Sequence, residues 1–283
     1  MAITERQLKQ RKKYVGSSDI AALLGVSPYS TAYDVWAQKC GLLVDGDDKA
    51  TPDMVLGTCL EDGIRTRAKE DLGQIRRGGF RVLKGTKLGV NVDGIRISTG
   101  EPVEIKTAKG WANKADWGDP GTDQVPFYTI CQTHGHMLAT RKDRCWVPAL
   151  VNGEYYLYVV DFNKPLGELI LAATEEFWRF VVDRKAPPAP PSLDVVKRLI
   201  REPNKMVNIS DDLIEGLVTA RAEATAAGKR KDEATAKVLA AMGDAEAGLT
   251  AGLGAVTYYT EHRNGYTVGP KDCRILRYKK KGL

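Results

Sequence analysis

Cysteine is scarce in this 283-residue chain, and the five that occur, Cys40, Cys59, Cys131, Cys145 and Cys273, are scattered. None forms a Cys-x-x-Cys pair, so the usual zinc spacing is missing, and an odd, dispersed set offers no disulfide framework. They read as reduced, mostly buried thiols. Histidine is equally sparse, with three residues. No apolar run approaches the roughly 20 residues needed to cross a bilayer. The stretch Met1-Ala2-Ile3-Thr4-Glu5-Arg6 lacks the apolar core of a secretory signal, so the expectation is a cytoplasmic protein with no membrane partner.

What is present is ordinary for a globular chain: 43% hydrophobic and 28% charged residues. The length suits one large domain, or one domain with an extension. A net charge of +6 fits a polyanionic partner without requiring one. Basic residues gather at Lys9, Arg11, Lys12 and Lys13, at Lys106, Lys109 and Lys114, and at Lys279, Lys280 and Lys281. Each group is equally readable as a solvated charged face.

Helical signals dominate the first part. Ser17 or Ser18 is placed to cap a helix through Ile20–Leu24, stopped by Gly25 and Pro28. Thr31 and Asp34 form a capping-box start for a helix that ends near Gly41. A longer helix is expected from Asp53 to Leu72, with Gly73 as its stop and Leu56, Leu60, Ile64 and Ala68 facing the core. The period then changes to two, predicting strands at Phe80–Leu83, Val90–Ile97 and Pro102–Lys106, with turns at Gly85 and Ser98-Thr99-Gly100. A helix over Gln124–Thr140 follows, then strands Cys145–Leu150 and Tyr155–Asp161 joined by Asn152-Gly153, a strong hairpin signal. An amphipathic helix over Leu166–Val182 completes an α/β pattern, a mixed central sheet flanked by helices. The prolines of Ala186–Pro191 mark a boundary. The expected domains are 1–185, a linker over 186–209, and an extension over 210–283 with one long helix from Ser210 to Met242, weakened at Gly216 and Gly228, and a small strand meander over Gly254–Lys279.

The chemistry-bearing pattern is the hairpin around Ser98-Thr99-Gly100. It sets Asp93 and Glu104 nearly opposite each other on antiparallel strands, where facing Cβ atoms are about 5 Å apart. Two carboxylates so close repel unless a cation lies between them, and hard oxygen donors suit Mg²⁺ or Mn²⁺. Lys106, two residues beyond Glu104, shares its face of the strand. A carboxylate pair with an ammonium beside it suits metal-assisted phosphodiester hydrolysis. On residues alone, the same pattern also reads as a surface hairpin with outward polar side chains.

The wider pattern resembles the YqaJ-like viral recombinase family, which includes the phage lambda-type exonucleases of the PD-(D/E)XK nuclease superfamily. The resemblance covers roughly the first 180 residues. It rests on Gly16-Ser17-Ser18-Asp19-Ile20-Ala21, Gly25-Val26-Ser27-Pro28-Tyr29 and Gly57-Thr58-Cys59-Leu60-Glu61. Val92-Asp93-Gly94, Glu104-Ile105-Lys106-Thr107 and Val125-Pro126-Phe127-Tyr128 followed by Gln132 complete it. The superfamily's proline is replaced by Val92, and that proline is not a ligand.

The resemblance implies a restriction-endonuclease-like core with Asp93 and Glu104 as metal-binding acids, the Ile105 backbone carbonyl as a further ligand, and Lys106 as the catalytic lysine. It implies that Glu61 completes the metal region, that Gln132 positions a water or the lysine, and that Arg11 and Ser18 bind a 5′-terminal phosphate. It further implies Mg²⁺ dependence, with Mn²⁺ able to substitute, and 5′→3′ degradation of linear double-stranded DNA from its ends. A homo-oligomeric ring (trimer or tetramer), a single-strand-annealing partner, and a bacterial or phage-infected cytoplasm belong to the same picture. Two alternatives stay open: a structure-specific endonuclease on the same core, and a catalytically silent DNA-end-binding or assembly protein. Iron–sulfur relatives do not match the cysteine spacing. Trp111 and Trp117, near Lys109 and Lys114, either contact DNA bases or pack. His134 and His136 read as ordinary helix-surface or packing histidines, because an i, i+2 pair points in different directions. Tyr29 and Trp36 read as core.

Overall fold

The computed structural model describes residues 10–44, 51–109, 116–203, 205–260 and 262. It divides into two compact units, Met1–Arg201 and Glu202–Leu283.

In the first unit, α1 (Ser17–Leu23) and α2 (Ala32–Lys39) precede the long α3 (Pro52–Leu72). The strands β1 (Ile75–Val82), β2 (Gly89–Arg96), β3 (Pro102–Val103) and β4 (Lys106–Ala108) follow. Then come α4 (Phe127–Thr140), β5 (Arg144–Val151), β6 (Glu154–Asp161), α5 (Lys164–Val182) and the short α6 (Leu193–Arg198).

Local chemistry sets most of these boundaries. The α2 box is complete, with Asp34 N–H donating to Thr31 Oγ1 at 3.3 Å and Thr31 N–H donating to Asp34 Oδ2 at 3.0 Å. Thr51 caps α3, Pro52 opens it, and Gly73 at φ 75° closes it. α1 departs from expectation: Gly16 is its N-cap, and its N–H donates to Asp19 Oδ2 at 2.9 Å, so neither Ser17 nor Ser18 caps. α4 starts at Phe127 rather than Gln124 because Pro126 supplies the cap position. Asn152 and Gly153 both adopt positive φ, as the β5–β6 turn requires.

The sheet is mixed and six-stranded, in the order β1-β2-β3-β5-β4, with β6 on β5. β1, β2 and β3 pair antiparallel, β3 and β4 both run parallel to β5, and β5 pairs antiparallel with β6. Val103 faces Trp146 and Lys106 faces Ala149, the same offset, so β3 and β4 are one strand interrupted at Glu104-Ile105. A continuous strand from Pro102 to Lys106 is thereby corrected. The cause is visible: Ile105 N–H donates to the Asp93 carboxylate at 2.9 Å instead of to a strand carbonyl.

One face of the sheet carries Val90, Val92 and Ile95 against α1, α2, α4 and α5. On the other, Val103 and Ile75 meet Ala68 and Leu72 of α3. The first half of α3 lacks this cover. Leu56 is 41% exposed, so of the four positions expected to face the core, Ile64 and Ala68 are buried and Leu60 half-buried. Trp36 is buried as expected, whereas Tyr29 is 75% exposed and rests edge-on against Tyr128. Close packing of α1 on α4 depends on Gly135, where a methyl group would overlap Ile20.

In the second unit, α7 (Asp211–Met242) runs unbroken through Gly216 and Gly228, with Asp211 and Asp212 complementing its N-terminal dipole. A hairpin of β7 (Ala247–Thr250) and β8 (Gly254–Thr257) follows. The rest of the expected meander, from 263 on, lies outside the described residues. Among the described residues no helix is long and apolar enough to cross a membrane.

Gly78 lies opposite Asp93, between the pairs Arg77–Gly94 and Gly79–Val92, and a methyl group there would overlap the Val92 carbonyl oxygen. Gly78→Ala is expected to cost about 1–3 kcal/mol. Gly63→Ala, exposed on α3 with open space around it, should instead stabilise by up to about 1 kcal/mol. Urea midpoints of the two variants measure both.

Candidate active site

The β2–β3 register, Gly94 against Val103, sets Asp93 beside Glu104 as the hairpin predicts. Glu104 is 2% exposed, and its N–H is tied to the Trp146 carbonyl at 2.9 Å. Its Oε1 lies 2.7 Å from Lys106 Nζ, which also donates to Gln132 Oε1 at 2.7 Å. Four of the sequence-predicted residues, Asp93, Glu104, Lys106 and Gln132, thus share one site, and Ile105 joins it through its N–H.

The two acids are electrostatically unequal. Burial, then the Glu104 charge, pushes the Asp93 carboxyl well above the usual carboxylate range; the Ile105 N–H and Lys106 oppose this, and Glu61 adds repulsion. Burial also disfavours charge on Glu104, but Lys106 and His136 outweigh it and hold that carboxyl at about 2. Glu104 is therefore the fixed anion, and Asp93 is the acid short of positive charge. Cys145 lies among the same groups, and burial followed by the Glu104 and Asp93 charges keeps its thiol protonated.

The outlying residues are placed as follows. Glu61 on α3 pairs with the buried Arg65 and stands within electrostatic reach of Asp93. Gly57, one turn earlier, lets α3 approach Thr107 of β4 closely. Arg11 and Ser18 are exposed, and the buried Lys39 ammonium connects their segments by donating to the Arg11 carbonyl at 2.8 Å and to Asp19 at 2.6 Å. Lys109 pairs with Asp53 at the start of α3. Trp111 and Lys114 lie outside the described residues. Trp117 is buried against Tyr158, with ring centroids 5.2 Å apart, and so packs.

His136 is the residue sequence reasoning missed. His134 does pack, taking a hydrogen bond from Asn163 N–H and lying 5.5 Å from the Phe162 ring. His136, fully buried, meets Glu104 Oε2 at 2.7 Å through Nε2. The signal was the spacing Gln132-x-x-x-His136, which puts both on one helix face.

Two facing carboxylates are hard, all-oxygen donors of the kind Mg²⁺ and Mn²⁺ take. Burial and the Glu104 charge raise the Asp93 carboxyl despite Lys106, so a further positive charge would favour the ionised pair. Among the described residues no group of three His, Cys, Asp or Glu side chains converges as a metal cage. Mg²⁺ needs none, since it is ordinarily held by one or two carboxylates with water and substrate oxygens. The donor set fits.

Because the folded-state pKa of Asp93 is raised, its favourable contribution exists below the unfolded carboxylate value and is lost as pH rises through the folded value. Asp93→Asn is therefore expected to raise the metal-free melting temperature by roughly 2–4 °C at pH 8, and to change it little at pH 4. Equal shifts at both pH values would contradict this. Glu104 has the opposite sign, its contribution being lost only as pH falls from the ordinary range towards about 2.

Comparison with known proteins agrees with this architecture. Residues 7–143 match the YqaJ-like viral recombinase domain. YqaJ of Bacillus subtilis (strain 168), itself uncharacterised, is 23% identical over 177 residues, which are 60% of this chain and 54% of that protein. The chain thus spans about half the length of that relative. The alkaline exonuclease LHK-Exo of Laribacter hongkongensis superposes with a TM-score of 0.51 at 19% identity, over 64% of this chain and 94% of that one. Its complex with dAMP gives 0.52 at 18% identity, with the same coverage. The fold shared with these structures is a mixed central sheet flanked by helices. The chain is thus similar, over residues 7–143, to the YqaJ-like viral recombinase domain.

Proposed function

We propose that the chain is a divalent-metal-dependent exonuclease that degrades linear double-stranded DNA from its ends, in the 5′→3′ direction, during phage-type recombination. The observation that carries this reading is the convergence of Asp93, Glu104, Lys106 and Gln132, with Lys106 at 2.7 Å from both Glu104 and Gln132 and Asp93 accepting from the Ile105 N–H at 2.9 Å. Asp93, Glu104 and the Ile105 carbonyl would hold Mg²⁺, or Mn²⁺ in its place, with Glu61 adding charge from α3. The bound ion would supply Lewis-acid polarisation of the scissile phosphate.

This chain's own groups do the rest. Lys106, oriented by Gln132 and Glu104, presents its ammonium to the attacked phosphate and helps to align the attacking water. Gln132 keeps the ammonium from collapsing wholly onto Glu104. Arg11, a planar guanidinium suited to a terminal phosphate, and Ser18 would grip the 5′ end, and Lys39 holds their two segments together. Lys109, Trp111 and Lys114 would lie along the DNA. The family resemblance supports a trimeric or tetrameric ring that encloses the duplex, a single-strand-annealing partner and a cytoplasmic setting. Catalysis is assigned to residues 1–185, joined through 186–209 to the extension 210–283.

An end-labelled duplex assay tests the reading. With Mg²⁺, the full chain should release nucleotides from linear duplex, prefer 5′-phosphate over 5′-hydroxyl ends, and spare covalently closed circles. Lys106→Ala should lose about 100-fold or more in rate while still binding DNA, and Arg11→Ala should lose the 5′-phosphate preference. A Lys106→Ala protein as active as wild type would refute the assignment. Cutting of closed circles would favour an endonuclease.

A further inference from the structure

Gln132 and His136 stand one turn apart on α4, and each meets one end of the Glu104-x-Lys106 pair on the adjoining strand. The spacings are commensurate: four helical residues rise about 6 Å and two strand residues rise about 6.6 Å. A helix lying along the strand can therefore address both residues at once. Gln132 Oε1 accepts from Lys106 Nζ, Lys106 Nζ lies against Glu104 Oε1, and Glu104 Oε2 meets His136 Nε2, every contact at 2.7 Å. The α4 backbone between Gln132 and His136 closes the ring.

His136 has no other polar engagement. Its side chain is fully buried, and Nδ1 has no hydrogen-bond partner. A buried imidazole with one nitrogen unsatisfied and the other committed to a carboxylate is expensive as mere packing. An apolar residue would fill the space without that cost.

We infer that His136 is a positioning residue for Glu104: its Nε2–H holds Oε2 and fixes the plane in which the carboxylate faces Asp93. The inference rests on the metal-site reading above. Without this donor, Glu104 keeps only Lys106 as a side-chain partner and can turn fully onto that ammonium, away from Asp93. Hydrogen bonds to metal-ligating side chains typically govern metal affinity by about 10–100-fold. His136 is thus expected to act on cation affinity in the absence of DNA.

Glutamine can carry an amide donor to the place of Nε2, whereas asparagine is one methylene too short. Mn²⁺ binding by calorimetry on the full chain, without DNA, separates the possibilities. Wild type, His136→Gln, His136→Asn, His136→Ala and Glu104→Gln are compared, each first melted in EDTA. Asn and Ala at position 136 should weaken Mn²⁺ binding about 10-fold or more, with Gln within about threefold of wild type. If the Ala variant does not fold, the Gln and Asn variants decide. Wild-type affinity in the Asn variant overturns the inference, and so does a Gln variant as weak as Asn, which would make ring volume the cause. A wild-type protein that binds no Mn²⁺, or a Glu104→Gln variant that binds it undiminished, removes the metal-site reading and this inference with it.

Discussion

Two carboxylates face each other across neighbouring inner strands of a mixed sheet, and the surrounding structure is organised to hold them there. Asp93 and Glu104 are brought together by an antiparallel register that begins at the Ser98-Thr99-Gly100 turn. Their mutual repulsion costs stability wherever no positive charge intervenes. The fold meets that cost unevenly. Glu104 receives Lys106 and His136 and stays ionised, while Asp93 receives one backbone N–H and is left wanting a cation. On the proposed reading, this asymmetry would give the pair affinity for a metal rather than for its own lysine alone.

The neighbouring elements follow from that constraint. β3 and β4 break at Glu104-Ile105 because the Asp93 carboxylate takes the Ile105 N–H in place of a strand acceptor. α4 lies where one turn of helix spans the Glu104-x-Lys106 pair, and Gly135 on that helix gives α1 room to pack closely. α1 in turn carries Asp19, whose contact with Lys39 holds the Arg11 segment. A path of packed groups thus runs from the acid pair to the residues proposed to grip the DNA end.

Much of this was legible in the sequence because it is local. The Thr31–Asp34 box, the Gly73 stop of α3 and the Asn152-Gly153 turn are short-range chemistry. The Asp93–Glu104 opposition follows from a turn and a period of two. What was not legible depends on tertiary context. A side chain replacing a ladder acceptor leaves no mark in periodicity, so the break between β3 and β4 went unread. Leu56 has helical spacing but no sheet beneath it, and Tyr29 sits beside Tyr128 on the surface rather than inside. His136 was a misreading of a different kind: paired with His134 its spacing suggests nothing, while paired with Gln132 it matches the strand it faces.

The central claim is that the Asp93–Glu104 pair is a divalent-cation site. Anomalous diffraction from crystals of the full chain soaked in Mn²⁺ tests it most directly. The account predicts a Mn²⁺ peak between the two carboxylates, and the loss of that peak in Asp93→Asn crystals. Crystals that bind Mn²⁺ elsewhere, with Lys106 still closed on Glu104 and no density at the acid pair, would contradict it.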